Sequence, residues 1–375
     1  MIHPADFVKL LNDNDISFFT GVPDSLLKDF CAYLTDYTPP ANHLIAANEG
    51  SAVAMAVGYN LATGKTGLVY MQNSGLGNAV NPLLSLVDPD VYGIPVLLVI
   101  GWRGEPGFPD EPQHKKQGQT MLSLLTAMEI PYEILPDSSD AAGATLQLLC
   151  SKAQELGGAV ALIVRNRTFE PYAQQNVRKN PYRLSREEAI KIIIDKLSGD
   201  EILVTTTGQT SREIYEYRDA INQGHANDFL TVGSMGHCSQ IAFSLALQQS
   251  ERNIICIDGD GAFLMHMGGL ALSGLCGSSN YLHIVINNGA HDSVGGQPTC
   301  GFELDFLGIA RSCGYKLQLR AETAEAIVSA MELLLLTDGP SFLEIRVHTG
   351  SRGDLGRPKI SPLENKRLLM NLLKR

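Results

Sequence analysis

The sequence lacks the features that would place a protein on a nucleic acid or in a membrane. Its 375 residues carry a formal net charge of −11 at pH 7, whereas nucleic acids and anionic membrane surfaces attract basic chains. No apolar run reaches the length that spans a bilayer. The first fifteen residues form an amphipathic pattern with acidic side chains, unlike a basic and apolar leader. We therefore expect a cytoplasmic protein with neither kind of partner.

Close pairs of cysteines are also missing. The seven cysteines form no C-x-x-C pair, their number is odd, and several stand in apolar runs. We therefore expect buried free thiols in a reducing compartment rather than disulfides. A zinc site is not expected, because the sequence offers no close pair of ligands.

Apolar runs are abundant and alternate with helical patterns. Hydrophobic residues make up 44% of the chain, which is ordinary for a globular protein, and the length suggests about two domains. The runs are SFFTG, HLIAA, TGLVYMQ, PVLLVIG and AVALIVR in the first half, and EILVTTTG, FLTVGS, NIICIDG, YLHIVIN and SFLEIRV in the second. Such runs suit parallel strands that are covered on both faces. The sequence therefore predicts an α/β protein with two doubly wound, mostly parallel sheets.

A polar segment with two prolines, residues 166–188, separates the two halves. It ends in a helix start, and its composition is typical of an interdomain linker. We predict an α/β domain at 1–170, a linker at 171–185 and a second α/β domain at 186–375. A third domain has no room between them.

The segment CIDGDGAF places Asp260 between two glycines at the end of an apolar run. A helix candidate, AFLMHMGGLALSGLCG, follows, and the next apolar run ends in NNGAHDS. Because parallel strands of a βαβ unit end at one edge of the sheet, Asp260 and Asn288 are expected to be neighbours. Their oxygens suit Mg²⁺ or Ca²⁺, and Mg²⁺ commonly shares its site with phosphates. Two ordinary strand-end turns would show the same residue types.

The 25 residues between GDG and NN contain a helix pattern and an apolar strand. This spacing resembles the cofactor motif of thiamine diphosphate enzymes. The resemblance implies that Asp260 and Asn288 bind the metal through their side chains and that Ala290 binds it through its carbonyl. Backbone N–H groups would meet the diphosphate at Gly259, Gly261 and Ala262. Ala262 departs from the family, in which serine is common at this position.

The segment around Glu49 resembles the other domain type of the same family. In LIAANEGSAVAMAVGYNLATGK, an apolar run is followed by Glu49 and by a helix pattern of small residues. The resemblance implies that Glu49 hydrogen-bonds the aminopyrimidine ring of the cofactor and promotes proton removal from its C2 atom. A first-turn glutamate favoured by the helix dipole is the alternative.

Two further segments of the second half resemble cofactor-binding segments. In VGSMGHCSQIAFSLAL, Met235 would lie under the bend of the cofactor, and Gly233 would accept a hydrogen bond from its 4'-amino group. A core methionine is the alternative. VTTTGQTS ends a strand where the family contacts the diphosphate. The candidates there are Gly208, Gln209 and Thr210. Since members of the family hold the cofactor between subunits, the resemblance implies a homodimer or a higher homo-oligomer.

The layout without a middle domain resembles the phosphonopyruvate and sulfopyruvate decarboxylases. Pyruvate decarboxylases and acetolactate synthases carry a third domain, and sulfopyruvate decarboxylases are often split over two chains. The segments FFTGVPDSLLKDF, GWRGEPGFPDEPQHKKQGQT and NNGAHDSVGGQPT look like those of phosphonopyruvate decarboxylases. The resemblance implies a carboxy-lyase that uses thiamine diphosphate and Mg²⁺ to convert the 2-oxo acid phosphonopyruvate into phosphonoacetaldehyde in phosphonate biosynthesis.

Three other functions stay open. The substrate could be sulfopyruvate or another 2-oxo acid. A nicotinamide dehydrogenase needs G-x-G-x-x-G, and GDGAFL lacks the third glycine. A non-catalytic nucleotide-binding module would not need Glu49.

The substrate-binding candidates come from the same three segments. Arg, Lys and His side chains are concentrated in GWRGEPGFPDEPQHKKQGQT, which we predict to be one Gly- and Pro-rich loop after a strand. Such groups can hold a phosphonate, although a solvated surface loop is the alternative. The candidates are Asp24, Ser25, Arg103, His114, Lys115, Gln117 and His291.

The sequence leaves open which of several groups is the acid that protonates the product carbon. Asp24 resembles the loop aspartate of pyruvate decarboxylases, and His114 lies in a region like their histidine pair. Their glutamate beyond the two asparagines has no counterpart, because Val294 stands near that position. The resemblance therefore implies Glu49, Asp24 and His114 as catalytic residues, with His291 as an alternative donor.

Overall fold

The structure is a computed structural model that describes residues 1–374. The chain divides into two compact units, Met1–Val177 and Arg178–Arg375. Each unit is a parallel sheet with helices on both faces. No helix between residues 1 and 374 has the length and apolar character that crossing a membrane requires.

The N-terminal unit contains six parallel strands in the order β2-β1-β3-β4-β6-β5. The strands are β1 Phe19–Gly21, β2 His43–Ile45, β3 Gly67–Gln72, β4 Val96–Gly101, β5 Tyr132–Ile134 and β6 Ala159–Val164. The helices are α1 Pro4–Asp13, α2 Lys28–Tyr37, α3 Glu49–Thr63, α4 Leu76–Pro82, α5 Pro112–Ala127 and α6 Ser139–Leu156. One hydrophobic core lies between the sheet and α3, α4 and α5. A second lies between the sheet and α1, α2 and α6.

The C-terminal unit contains six parallel strands in the order β11-β12-β10-β9-β7-β8. The strands are β7 Ile202–Thr205, β8 Asp228–Leu230, β9 Ile254–Gly259, β10 Tyr281–Asn287, β11 Leu317–Ala321 and β12 Ser341–Arg346. The helices are α7 Arg186–Asp195, α8 Gln209–Ala220, α9 Cys238–Gln248, α10 Asp260–Met265, α11 Gly269–Leu275, α12 Phe306–Ser312, α13 Ala324–Leu334 and α14 Pro362–Leu373. Helices α7, α8 and α13 cover one face of the sheet. Helices α9 to α12 and α14 cover the other.

The two sheets have the same topology. When the strands of each unit are numbered from its own first strand, both orders read 2-1-3-4-6-5. In each unit the order reverses between the first and the third strand, which is where open α/β sheets bind their ligands. The predicted fold class, two doubly wound parallel sheets, is confirmed.

The sequence missed two strands, both at sheet edges. Each of the ten predicted runs overlaps a strand, whereas Tyr132–Ile134 and Leu317–Ala321 were not predicted. An edge strand has a neighbour on one side only, so its residues are partly exposed and include polar side chains. The near-continuous apolar pattern of central strands therefore does not identify them.

The single helix predicted after Asp260 was wrong. Two short helices, α10 and α11, are separated at His266–Gly268. His266 leaves the helical conformation, with φ −132° and ψ 39°. Two glycines, Gly268 and Gly269, follow it, and glycine disfavours a continuous helix.

The predicted loop after β4 is also shorter than expected. Helix α5 begins at Pro112, a residue that favours the first position of a helix. The candidates His114, Lys115 and Gln117 therefore lie on a helix and not in a loop. Only Arg103 of the basic candidates lies in the loop itself.

Candidate active site

A cavity of the C-terminal unit lies beyond the carboxyl ends of β7, β9 and β10. It stands at the reversal of strand order between β7 and β9. Ten residues predicted from the sequence line it: Gln209, Thr210, Met235, Gly259, Asp260, Gly261, Ala262, Asn288, Ala290 and His291. Six others were not predicted: Arg186, Thr206, Thr207, Ile286, Asp292 and Ser293. Gly208 and Gly233 are not among the lining residues, although Gly208 precedes Gln209 as the N-cap of α8.

Asp260 is the buried carboxylate of this cavity. It directly follows β9, and its side chain accepts a hydrogen bond from the Thr299 hydroxyl. Burial raises the pKa of Asp260 to about 7, although the bonds from Thr299 and from the Asn288 backbone oppose the rise. A divalent cation beside the carboxylate would stabilise its charged form.

The side chain of Asn288 is held by Asp292. The Asn288 amide nitrogen donates to Asp292 Oδ2 at 2.7 Å, and Asn288 Oδ1 accepts a bond of 3.0 Å from the Ala290 backbone. Asp292 Oδ2 also accepts a bond of 2.9 Å from the Gly350 backbone. Because the amide nitrogen is engaged, the amide oxygen is the atom of Asn288 that can bind a cation through its second lone pair.

Arg186 connects both sides of the cavity. Its guanidinium forms bonds of 2.8 and 2.9 Å to the Glu213 carboxylate, 2.6 Å to Gln209 Oε1 and 3.3 Å to Asp292 Oδ2. Because Gln209 Oε1 accepts this bond, the other end of the amide presents its N–H donors. The sequence contained a signal for this residue, since an arginine in the first turn of a helix opposes the helix dipole and needs an anionic partner.

Gly261, His291 and Met235 pack closely in the same cavity. A Cβ atom on Gly261 would lie 2.6 Å from His291 Cε1 and 3.4 Å from Met235 Cε. A side chain at position 261 would therefore require the imidazole of His291 to move. Burial lowers the pKa of His291 to about 4, so its imidazole is neutral at pH 7 and can donate a hydrogen bond without carrying a charge.

In the N-terminal unit, Glu49 lies in a hydrogen-bonded niche. It is the first residue of α3, and 5% of it is exposed. Its Oε2 atom accepts a bond of 2.7 Å from the Asn78 amide nitrogen. Gly75 lies against the carboxylate so closely that a side chain there would clash. The sequence did not reveal Asn78, because it follows β3 rather than β2.

Asp24, Ser25 and Arg103 come together elsewhere in the N-terminal unit. Arg103 donates through Nε at 2.9 Å to Asp110 Oδ2, and through Nη1 at 2.7 Å to Ser25 Oγ. Its guanidinium is therefore engaged by Asp110, which the sequence did not reveal. Asp24 is fully buried against Gly101. Burial raises the pKa of Asp24 to about 6, although the charge of Arg103 opposes the rise.

The three candidates on α5 differ in exposure. His114 is buried, and burial together with the charge of Arg103 lowers its pKa. Its imidazole is therefore neutral at pH 7. Lys115 and Gln117 are exposed. The structure thus brings His114 into the electrostatic field of Arg103 and leaves the other two at the surface.

The donors of the C-terminal cavity fit a metal-bound diphosphate. Asp260, Asn288 and the Ala290 carbonyl offer the hard oxygens that Mg²⁺ prefers. The twelve-residue helix α8 begins at Gln209, and its first backbone N–H groups have no partner within the helix. Gly259 has open space where a side chain would stand, so an anion can approach its backbone.

Known families match both units. The profile described as thiamine pyrophosphate enzyme, N-terminal TPP binding domain, matches residues 5–125, and the C-terminal TPP binding domain matches residues 206–345. A phosphonopyruvate decarboxylase of Streptomyces viridochromogenes is 34% identical over 385 residues, which cover 97% of this chain and 93% of the relative. This chain belongs to the thiamine pyrophosphate enzyme family.

Two further relatives narrow the reaction class. A phosphonopyruvate decarboxylase of Streptomyces hygroscopicus is 32% identical, and the match covers 97% of this chain and 92% of the relative. A sulfopyruvate decarboxylase of Methanosarcina acetivorans is 26% identical over 94% of this chain and 93% of the relative. The predicted resemblance is confirmed: the chain is a decarboxylase that uses thiamine pyrophosphate, also called thiamine diphosphate, and acts on a small 2-oxo acid.

Proposed function

We propose that this decarboxylase converts 3-phosphonopyruvate into phosphonoacetaldehyde and CO₂, in the biosynthesis of phosphonates of the 2-aminoethylphosphonate type. One observation supports this choice of substrate. Two phosphonopyruvate decarboxylases are 34% and 32% identical to almost the whole chain, compared with 26% for the sulfopyruvate decarboxylase.

We propose Mg²⁺ as the metal, with the Asp260 carboxylate, the Asn288 amide oxygen and the Ala290 carbonyl as its protein ligands. Their hard oxygens and the burial of Asp260 support this choice. The diphosphate would be met by Gly208, Gln209, Thr210, Gly259, Gly261 and Ala262. Gly233 and Met235 would meet the organic part of the cofactor. When bound, thiamine diphosphate supplies the electron sink that allows CO₂ to leave.

In the N-terminal unit, Glu49 is proposed as the residue that holds the activating proton. The bond from Asn78 orients its carboxylate. The proposed domains, 1–170 and 186–375 with a linker between them, would carry the pyrimidine-binding and diphosphate-binding functions. We also propose a homodimer or a higher homo-oligomer with the cofactor at the subunit interface. The exposed apolar side chains of Met55 and Leu61 on helix α3 support a partner on that helix.

Asp24 is the proposed proton donor to the product carbon. With a pKa raised to about 6, part of its population is protonated near neutral pH, whereas the imidazoles of His114 and His291 are neutral and weaker acids there. Asp110 holds the guanidinium of Arg103 in place, and this guanidinium would present its positive charge to the substrate. Ser25, Lys115 and Gln117 are further proposed contacts of the substrate.

The second candidate is the decarboxylation of sulfopyruvate. Its support is the full-length similarity to the Methanosarcina acetivorans enzyme. A sulfonate and a phosphonate are both tetrahedral anions, so the same basic groups can hold either. They differ in charge, because a phosphonate can carry a second negative charge near neutral pH and a sulfonate cannot.

The test compares three substrates on the purified chain. Phosphonopyruvate, sulfopyruvate and pyruvate are each supplied with thiamine diphosphate and Mg²⁺, and CO₂ and aldehyde are measured. We expect the largest kcat/KM for phosphonopyruvate. A larger value for sulfopyruvate would favour the second candidate, and preference for pyruvate would contradict both.

The Glu49→Gln variant tests the activating role in the same assay. We expect turnover to fall by about 10²- to 10⁴-fold, the usual contribution of a placed acid or base. Glu133→Gln, a change at the edge strand β5, is the matched control and should keep full turnover. Equal activity of Glu49→Gln and the native chain would exclude Glu49 from the chemistry.

A further inference from the structure

Beneath the cofactor cavity, four side chains that can bind a soft metal meet inside the C-terminal unit. Cys256 and Asp258 lie two residues apart on β9, so both point to the same face of the sheet. His283 pairs with Cys256 from the neighbouring strand β10. Cys238 is the first residue of α9, which covers this face. None of the four side chains is more than 2% exposed.

The ligand atoms of Cys238, Cys256 and Asp258 are spaced as tetrahedral coordination requires, and His283 lies outside this group of three, next to Asp258. The sulfurs of Cys238 and Cys256 are 3.7 Å apart, and zinc–sulfur bonds of about 2.3 Å place two thiolates roughly 3.8 Å apart in a tetrahedral site. Both sulfurs and a carboxylate oxygen of Asp258 lie within 4.8 Å of one another. His283 Nε2 lies 3.6 Å from Asp258 Oδ2, close to the roughly 3.4 Å expected for nitrogen and oxygen ligands of one zinc.

Polar atoms of the cluster are buried without partners. Among the described residues, Asp258 Oδ2 and both ring nitrogens of His283 have no hydrogen-bond partner. At 3.6 Å, His283 and Asp258 form an ion pair when the imidazole is protonated, but their separation is too long for a hydrogen bond. Buried polar groups are normally satisfied, and leaving several unpaired in one place is costly. A cation among the four side chains would satisfy Asp258 Oδ2 and one ring nitrogen of His283 at once.

We propose that Cys238, Cys256, Asp258 and His283 form a structural site for a soft divalent cation, with zinc as the metal that fits best. Thiolates and imidazole select zinc over Mg²⁺. On binding, the two thiols release their protons to solvent and their sulfurs donate electron pairs to the metal. Burial raises the pKa of the Cys238 thiol, so the charge of the metal would have to stabilise its thiolate.

The site would tie together two segments that line the cofactor cavity. Cys238 follows Met235 by three residues, and Asp258 precedes Asp260 by two. The metal would therefore fix α9 and the end of β9 from behind the cavity. The sequence did not predict this site, because its ligands come from three elements and the pair on β9 is not of the C-x-x-C type.

The metal content of the purified chain tests the proposal. The chain is produced in medium with added zinc, purified with a phosphine reductant, dialysed against EDTA and analysed by mass spectrometry for metals. We expect about one zinc per chain, and none in Cys256→Ser. Cys31→Ser is the matched control for a buried cysteine outside the site and should keep the metal. Asp260→Ala should keep it as well, which separates this site from the cofactor metal.

Cobalt gives a second readout that does not depend on the folding of a variant. Refolding the native chain with Co²⁺ should produce the sulfur-to-cobalt absorption bands of a thiolate site. Less than about 0.1 zinc per native chain together with no such bands would overturn the proposal. So would equal zinc in the native chain and in Cys256→Ser, because the sulfurs would then be two thiols in simple contact.

Discussion

In the N-terminal unit the guanidinium of Arg103 is engaged by neighbouring side chains, whereas in the C-terminal unit the charged groups surround a cavity. Arg103 is engaged by Asp110 and Ser25. Around the cavity, Arg186 holds the side chains of Gln209 and Asp292 at their outer ends. Their remaining polar atoms are thus available to a ligand.

Both units have the same strand order, so the topology does not explain the difference between them. The difference comes from the segments that follow equivalent strands. After the third strand of the sheet, the N-terminal unit has the Asn78 region that orients Glu49, and the C-terminal unit has the GDG turn. The comparison teaches that one scaffold supplies the positions and the loops supply the chemistry. It also predicts that substitutions in the cavity of the C-terminal unit weaken cofactor binding, whereas substitutions around Arg103 in the N-terminal unit lower turnover.

The largest effect is expected from Asp260→Ala. The change removes a buried carboxylate that we assign to the metal, so the affinity for thiamine diphosphate in the presence of Mg²⁺ should fall by at least about 100-fold. Titration calorimetry with the cofactor and Mg²⁺ measures it. Asp354→Ala, at an exposed aspartate of the same unit, is the control and should bind normally. Unchanged affinity in Asp260→Ala would exclude the proposed metal site.

A smaller effect on the same binding is expected from Asp292→Ala. Asp292 does not bind the metal in our proposal but orients the amide of Asn288. Loss of such an orienting partner typically costs about 10- to 100-fold in metal affinity. The concentration of Mg²⁺ needed for half-maximal cofactor binding should rise by this factor, while Mg²⁺ in excess should restore binding.

Arg352→Met is the matched control for this electrostatic network. Arg352 also forms ion pairs, with Glu187 and Glu216, but it is partly exposed, and such pairs contribute little. Equal Mg²⁺ requirements in Asp292→Ala and the native chain would show that Asn288 keeps its orientation without Asp292.

The sequence predicted the central strands of both units but not the residues that orient the side chains of the candidate site. The central strands were predictable because both faces are buried, whereas two of the four edge strands, Tyr132–Ile134 and Leu317–Ala321, were not predicted. The proximity of Asp260 and Asn288 was predictable because parallel neighbouring strands end at one edge. These predictions used spacing along one βαβ unit.

The supporting residues could not be found in this way. Arg186 and Asp292 are 106 residues apart in sequence, and Asn78 is 29 residues from Glu49. Their contacts depend on how separate elements pack. Asp110 is only seven residues from Arg103, but its loop also contains other acidic residues, and the sequence does not say which of them forms the pair.

Arg103→Lys should affect turnover without affecting cofactor binding. Lysine keeps the charge but loses the two-pronged contact with Asp110 and the bond to Ser25. Loss of hydrogen bonds between charged groups should lower kcat/KM for phosphonopyruvate by about 10-fold. Steady-state kinetics measures it, and Arg167→Lys, at an exposed arginine, is the control. A weaker cofactor affinity in Arg103→Lys would contradict the division of roles in which the C-terminal unit binds the cofactor and the N-terminal unit affects turnover.

An effect on stability rather than on turnover is expected from Asp24→Asn. Burial raises the pKa of Asp24 from 3.8 to about 6. Between about pH 4 and pH 6 the folded chain therefore holds a proton that the unfolded chain has released, and the free energy of unfolding falls as the pH rises. The amide of the variant cannot titrate, so Asp24→Asn should gain stability relative to the native chain over this window, by at most about 3 kcal/mol.

Denaturant unfolding of the native chain, Asp24→Asn and Asp137→Asn at several pH values measures this difference. Asp137 is an exposed aspartate of the same unit, so its variant should follow the native chain. If Asp24→Asn also follows the native chain, the attraction of Arg103 outweighs burial and Asp24 is ionised throughout. It would then carry no proton near neutral pH, and its proposed role as the donor to the product carbon would pass to another group.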